Sequence, residues 1–473
     1  MNFSELTVLE LKNLIASKKA TSEEIVRHFI KVCEDKKDLN AVVEIFYDAI
    51  DRAKEIDQKI ANGEKVGALA GVPIAIKDNI LYKGKKMGCA SKFLQDFVAP
   101  YTSTIVEKLL NEDAVIIGRT NMDEFAMGSS CENTCYGACH NALNPEYVAG
   151  GSSGGSASAV AGGLVPCAIG TDTGGSIRQP ASLCGLVGVK PTYGTVSRYG
   201  IVAFASSLDQ ASPFTKDIES SLYVLKIMAG KDAHDGTTID NKFEQNFKPK
   251  YTLGVCKQLM QAYKKASTDK HFDEAVEKLK KNFEIVEVDV PHITNSLASY
   301  YILAPAEATS NLARFDGVKY TRRAENTKDL ESVYVKSRSE GFGKEVKRRI
   351  MLGNFVLSSG YFDAYYNKAK KVQRLIRKEL KDAFKQCDAI IMPTTYGPAF
   401  KLGEKLNDPL AMYVEDLFTV PANIAGIPAL SVPYATAENG LPLGIQFFAD
   451  EREEEKMYDI AKSFEKTIKG GSL

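Results

Sequence analysis

Residues 150–176 read GGSSGGSASAVAGGLVPCAIGTDTGGS. No charge interrupts the chain between Glu146 and Asp172, and that interval holds seven glycines and four serines. Each end of the stretch sets a serine beside paired glycines: Gly150-Gly151-Ser152-Ser153-Gly154-Gly155 first, Thr173-Gly174-Gly175-Ser176 second. Glycine lets the backbone approach a ligand and point bare N–H groups at it. A serine after two glycines can be a nucleophile with its own oxyanion hole. A flexible linker is the commonest fate of such composition. Here, however, 157–161 and 164–169 are apolar and read as buried. The stretch is long enough to span a membrane, but its glycines and Pro166 leave it too weakly apolar. A phosphate cradle lacks its signatures: there is no GxxxxGK[ST], and no GxGxxG opens a helix after a strand. Nucleophilic catalysis, anion binding and a tightly packed turn remain as readings of these residue types.

The flanking sequence alternates strands and helices. The apolar run Gly71-Val72-Pro73-Ile74-Ala75-Ile76 ends in Lys77-Asp78-Asn79 and reads as a strand. Residues 102–110 read as a helix, 114–118 as a buried strand, 153–162 as a helix of small residues, and 164–170 as the next strand. This alternation predicts an α/β sheet. Upstream, 1–62 reads as helical. Thr7…Glu10 and Thr21…Glu24 both match a capping box, and Ile25, Phe29, Ile30 and Cys33 form an apolar stripe after the second. Residues 40–60 read as a further helix. Downstream, 230–246 is a polar, turn-rich seam. Strands are predicted at 251–256, 284–290, 388–392, 429–432 and 444–448. Helices are predicted at 273–283, 361–385 and 451–469. Residues 317–347 are heavily charged and read as a partly helical insertion.

Sixty basic and sixty acidic residues cancel, which argues against a strong electrostatic grip on nucleic acid by this chain alone. Apolar content of 44% with 25% charged residues suits a soluble globular protein. The nine cysteines are odd in number and scattered among apolar neighbours, so a reduced compartment is expected rather than a disulfide framework. The N-terminus has no basic region before an apolar run. A cytoplasmic location is the expectation.

A serine nucleophile needs a base. None of the five histidines, His28, His140, His234, His271 and His292, sits in a recognisable triad setting. A serine–lysine arrangement does without one, and Lys77, closing an apolar strand, is the candidate. A base must be neutral. An ordinary lysine has a pKa of about 10.4, and lowering it by roughly three units costs about 4 kcal/mol. Burial and hydrogen bonding to hydroxyls can supply that shift.

Three blocks at characteristic intervals, KDNI from Lys77, GGSSGGS from Gly150 and GTDTGGSIRQPA from Gly170, resemble the amidase signature family. The resemblance implies a large mixed central sheet covered by helices on both faces. It implies a single domain over 1–473, with N-terminal helices at about 1–62 and the charged insertion at about 317–347. It further implies a Ser–cis-Ser–Lys triad. Ser176 would be the nucleophile, Ser152 the proton relay with its peptide held cis, and Lys77 the base, with the N–H groups of Thr173, Gly174, Gly175 and Ser176 as the oxyanion hole.

Further blocks at 118–130, 190–210, 304–320, 345–366 and 420–433 narrow the likeness to the family members that serve tRNA-dependent amidotransferases. Such a member hydrolyses glutamine and passes ammonia to a partner B subunit, which binds ATP and Mg and activates misacylated tRNA. A small C subunit braces the pair. Gly128, Ser129, Tyr300 (or its neighbour Tyr301), Arg349 and Asp416 would bind glutamine. No cofactor or metal is expected in this chain. The alternative within the family is a stand-alone hydrolase of small amides. The chain has Val148-Ala149 where the family usually has Val-Pro, which leaves the triad residues in place. It also carries Cys131, Cys135, Cys139 and His140. Zinc favours such ligands, but the spacing is not C-x2-C, so the cluster is expected to be structural.

Overall fold

The computed structural model describes residues 2–245, 247–267 and 270–469, so the last residue of the polar seam, 246, lies outside them. The strands come in the order β1 (Val42–Ile45), β2 (Pro73–Lys77), β3 (Val115–Thr120), β4 (His140–Asn141) and β5 (Asn144–Val148). They continue with β6 (Cys167–Asp172), β7 (Val187–Lys190), β8 (Gln210–Thr215) and β9 (Thr252–Cys256). The last four are β10 (Glu284–Val288), β11 (Ala389–Pro393), β12 (Ala429–Thr436) and β13 (Pro442–Phe448). β4 and β5 pair only with each other. The rest form one 11-stranded sheet in the order β1-β3-β2-β6-β8-β7-β12-β13-β11-β9-β10. β2 runs parallel to both β3 and β6, whereas β8 is antiparallel to β6 and to β7. The sheet is therefore mixed.

Side-chain alternation along the strands fills two separate cores, one on each face. In β2, Ile74 and Ile76 enter one core and Ala75 the other. In β3, Ile116 opposes Val115 and Ile117. In β6, Cys167 and Ile169 oppose Ala168. Burial on both faces is why these strands read as unbroken apolar runs. The second core is closed by the helix Ser22–Asp35, which buries Ile25, Val26, Phe29, Ile30 and Cys33, and by the short helix Gly154–Ala161. That short helix comes very close to the end of β3. A Cβ on Gly155 would stand 2.4 Å from the backbone N and O of Asn121. Among the described residues no helix is long and apolar enough to cross a membrane.

Several expectations need correction. Residues 40–60 are not one helix: Val42–Ile45 forms β1, paired antiparallel with β3, and the helix begins at Ala49. The β-branched run Val42-Val43-Glu44-Ile45 suits a strand, and pairing with β3 outweighed its helical spacing. Thr7 makes a full capping box, but Thr21 does not. Its side chain accepts from the Glu24 N–H, while Asp57 of the neighbouring helix accepts from the N–H groups of Ser22 and Glu23 at 2.7 and 2.9 Å. A carboxylate from elsewhere in the fold thus fills the end that Glu24 was expected to close. The helix expected over 361–385 is α-helical only from Lys368 to Ala383. Phe362–Asn367 winds as a π-helix, with the Phe362 and Tyr366 rings stacked at 5.1 Å. Strands β7 and β8, which place the site from the far side, carried no clear period in the sequence.

Phe29 is fully buried in the core behind the sheet, away from the strand ends. Phe29→Ala should cost about 3–5 kcal/mol of stability. Urea unfolding should show it as a lower midpoint at unchanged slope, with the specific activity of the folded fraction retained.

Candidate active site

β3, β2 and β6 lie side by side and parallel, so their carboxyl ends open on one edge of the sheet. Loops leaving parallel strands at that edge diverge and make room for ligands. Lys77 is the last residue of β2, in register with Thr120 at the end of β3. Asp172 is the last residue of β6, and the turn Thr173–Ser176 follows it.

Lys77 is fully buried. Its Nζ donates to the hydroxyls of Ser152 and Ser153 at 2.8 Å each and of Thr171 at 2.9 Å. Among the described residues no carboxylate lies within ion-pair distance of it. Burial pushes the ammonium down to about 7, against the pull of Asp123, Cys131, Asp172 and Asp209 at longer range. Ser153 and Thr171 were not singled out in the sequence. The only signals were a second serine in GGSSGGS and a hydroxyl two residues past Ile169, on the same side of β6.

The Gly151–Ser152 peptide is cis. Ser152 is buried and Ser176 is partly exposed, and the Ser153 N–H donates to the Ser176 carbonyl at 3.3 Å, so the two glycine–serine turns are bonded together. The turn bearing Ser176 is fixed by Asp172. Its Oδ1 accepts the Gly175 N–H at 2.8 Å, its Oδ2 accepts the Ile177 N–H at 3.3 Å, and both oxygens accept from Arg178. Burial alone would raise this carboxyl; the Arg178 guanidinium and the Asn423 amide hold it below its ordinary value. This geometry corrects the expected oxyanion hole, because the Gly175 N–H is already engaged by Asp172. Gly175 itself sits at φ +131°, a backbone region that favours glycine. Thr173 Oγ1 donates to Asp209 Oδ1 at 2.6 Å, and the Gly174 carbonyl accepts from Thr419 Oγ1 at 2.7 Å.

The residues expected to bind substrate come from four distant segments and meet beside this turn. Asp416 accepts from Ser129 Oγ at 3.0 Å and from the Tyr301 hydroxyl at 2.6 Å. Burial pushes its carboxyl up to about 7, opposed by Tyr301, Arg349 and Ser129. Arg349, on the helix Lys344–Leu357, is buried; its Nε donates to Glu345 Oε1 at 2.8 Å, and its guanidinium lies over the Tyr301 and Tyr413 rings. Tyr300 and Tyr301 divide the task. Tyr301, rather than Tyr300, holds Asp416. Tyr300 packs on the Ser176 turn, where a Cβ on Gly174 would stand 2.6 Å from its ring. Gln179 joins pocket to turn: its Nε2 donates to the Ser129 carbonyl at 2.8 Å, and its Oε1 accepts the Gly151 N–H at 3.0 Å.

A cavity of about 480 Å³ leads from solvent to Gly128 and Arg349. Cys135 lines it, whereas Cys131 and Cys139 are buried. Burial raises the thiols, to about 11 for Cys135 and higher for Cys131, so both stay protonated at neutral pH. His140 Nδ1 pairs with the Pro145 carbonyl at 2.7 Å. Among the described residues no group of three or more His, Cys, Asp or Glu side chains is disposed to hold a metal ion.

The sequence model of the amidase family matches residues 24–457. The chain is 48% identical to the A subunit of the glutamyl-tRNA(Gln) amidotransferase of Caldanaerobacter subterraneus subsp. tengcongensis, over 99% of this chain and 98% of that one. The crystal structure of the glutamyl-tRNA(Gln) amidotransferase A subunit from Thermotoga maritima superposes with a TM-score of 0.79 at 38% identity, covering 98% of this chain and 95% of that one. The peptide amidase of Stenotrophomonas maltophilia superposes with a TM-score of 0.81 at 25% identity, covering 99% and 98%.

Replacing Asp172 by alanine would leave the Arg178 guanidinium buried without its anion. A loss of about 3–5 kcal/mol is expected. A thermal melt should fall accordingly, and the double replacement Asp172→Ala with Arg178→Met should recover part of the loss.

Proposed function

The chain belongs to the amidase family, and on that premise we propose that it hydrolyses glutamine through Ser176, Ser152 and Lys77 as the A subunit of a glutamyl-tRNA(Gln) amidotransferase. The observation that carries this reading is the buried Lys77 amine bonded to Ser152, one hydrogen-bonded turn away from Ser176. A lysine neutral near pH 7 can take a proton. It draws one from Ser152, which in turn takes the proton of Ser176. The Ser176 Oγ then attacks the side-chain carbonyl carbon of glutamine. Charge developing on that oxygen meets the N–H groups of Thr173, Gly174 and Ser176. The proton returns through Ser152 to the leaving nitrogen, ammonia departs, and a glutamyl ester remains on Ser176. Water, deprotonated along the same relay, releases glutamate.

Asp416 supports glutamine rather than a plain amide as the substrate. A buried carboxylate suits the α-ammonium. Arg349, held at Nε by Glu345, turns its terminal nitrogens to the α-carboxylate, whose geometry a guanidinium matches. The relatives' names support assembly with partners: a B subunit that uses ATP and Mg to activate misacylated tRNA and receives the ammonia, and a small C subunit. The tRNA product is Gln-tRNA(Gln), Asn-tRNA(Asn) or both.

Glutaminase assays with and without the partner subunits test the reading. Ser176→Ala should abolish glutamate release in a folded protein. Lys77→Arg should not rescue Lys77→Ala, because arginine stays protonated. Asp416→Ala should raise the glutamine KM more than about tenfold by leaving the ammonium unpaired. Unchanged glutamine kinetics in Asp416→Ala and Arg349→Ala, with hydrolysis of small amides, would favour the stand-alone amidase.

The pH dependence follows from two groups of the site. Lys77 is a base only when neutral, and Asp416 binds ammonium only when ionised; both conditions hold above about pH 7. kcat/KM should therefore rise through neutrality with two protons lost. kcat should keep only the Lys77 limb, since bound ammonium holds Asp416 ionised.

A further inference from the structure

Asp123 has no place in the triad or the substrate contacts, yet it touches the supports of both. It is fully buried between β3 and the turn Glu124–Ala126. Its backbone N–H donates to the Ser152 carbonyl at 3.1 Å. Its side chain reaches the other way: Oδ2 accepts the Cys131 N–H at 2.9 Å, and Oδ1 accepts the Asn133 N–H at 3.1 Å. Those two amides follow Ser129, which donates to Asp416. Both flanking loops are shaped to admit this carboxylate. A Cβ on Gly151 would stand 2.1 Å from its Oδ2, and one on Gly128 would stand 2.3 Å from its carboxyl carbon. Among the described residues no cation lies within ion-pair distance of it.

We propose that Asp123 is a positioning residue that keeps the relay serine in register with the ammonium pocket and sets a negative charge opposite Lys77. The proposal rests on the reading of Lys77 as base and glutamine as substrate. Two backbone N–H groups satisfy both carboxylate oxygens, so an asparagine in its place would turn an NH₂ towards one of those donors. The loop bearing Ser129 would then relax away from Asp416. The charge acts separately. Lys77 faces Asp123, Cys131, Asp172 and Asp209, and Asp123 faces Lys77 and Glu132. Of the anionic carboxylates, Asp172 is already paired with Arg178, so Asp123 is the one whose charge is not neutralised by a contact and whose main chain holds Ser152. Its charge favours the protonated lysine; removing it makes Lys77 easier to deprotonate.

The test combines glutamine kinetics with the pH profile of Ser176 labelling by a small fluorophosphonate, which forms a phosphonate ester on Oγ and releases fluoride. The wild-type chain, assembled with its partners, must label at Ser176 and hydrolyse glutamine; if it does neither, the functional reading itself fails. Asp123→Asn should raise the glutamine KM about tenfold or more, as expected for loss of charged hydrogen bonds. It should also move the acid limb of labelling down by about half a pH unit or more. Asp123→Glu keeps the charge but crowds Gly128 and Gly151, so it should raise KM with the acid limb where wild type has it. A KM within twofold of wild type in Asp123→Asn overturns the register role, and an unmoved limb overturns the charge role. If Asp123→Asn loses its cooperative melt, Asp123→Glu decides: a shifted limb or an unchanged KM there overturns the proposal.

Discussion

An amine sealed from water at the end of a strand is the constraint on which the rest of the structure depends. Lys77 has three hydroxyls in contact and no carboxylate. An ammonium in that setting is costly, which makes the neutral form accessible at ordinary pH. A carboxylate in direct contact would undo this by stabilising the proton. The fold therefore keeps its negative charges one shell back and ties them down elsewhere. Asp172 is occupied by Arg178 and by two backbone N–H groups of its own turn. Asp209 is occupied by Thr173 and by the N–H groups of Phe204 and Ala205.

Rigidity follows from the same arrangement. The Arg178 guanidinium reaches Asp172, the Thr419 carbonyl, Gln446 of β13 and Asn423. The turn that carries Ser176 is thus fastened across the sheet to segments more than 200 residues away in sequence. Thr419, whose carbonyl accepts from Arg178, also donates to Gly174 and follows Asp416 by three residues. Turn and pocket consequently share one support, and Gln179 adds a second link through Ser129 and Gly151. Serine and substrate carboxylate cannot shift independently without breaking a buried hydrogen bond, each costing about 1–3 kcal/mol when its partner is left unsatisfied.

The pocket is chemically divided. One end, at Asp416, is anionic and supplied with two hydroxyl donors. The other, at Arg349, is cationic and boxed by aromatic faces. A zwitterionic amino-acid end fits such a division, whereas a neutral amide would strand both charges. Cation–π contacts with Tyr301 and Tyr413 let the guanidinium stay charged while largely desolvated.

Much of this was legible in the sequence because it was local or periodic. The uncharged glycine–serine stretch, the apolar strand ending in Lys77, and the alternating helices and strands announced an α/β sheet with serine chemistry at a strand end. Single-residue periodicity fails where two structures share it: residues 41, 45, 49 and 53 suit a helix, yet Val42–Ile45 joined β3, because a sheet edge offered more backbone hydrogen bonds than an isolated turn. Tertiary structure alone decided the partners of Lys77 beyond Ser152, the use of Gly175 by Asp172, the division of labour between Tyr300 and Tyr301, and the place of Asp123. Each of these depends on which loops meet at the carboxyl edge of the sheet. Sequence spacing carries no record of that, since the contacts join segments whose separation along the chain is unrelated to their separation in space.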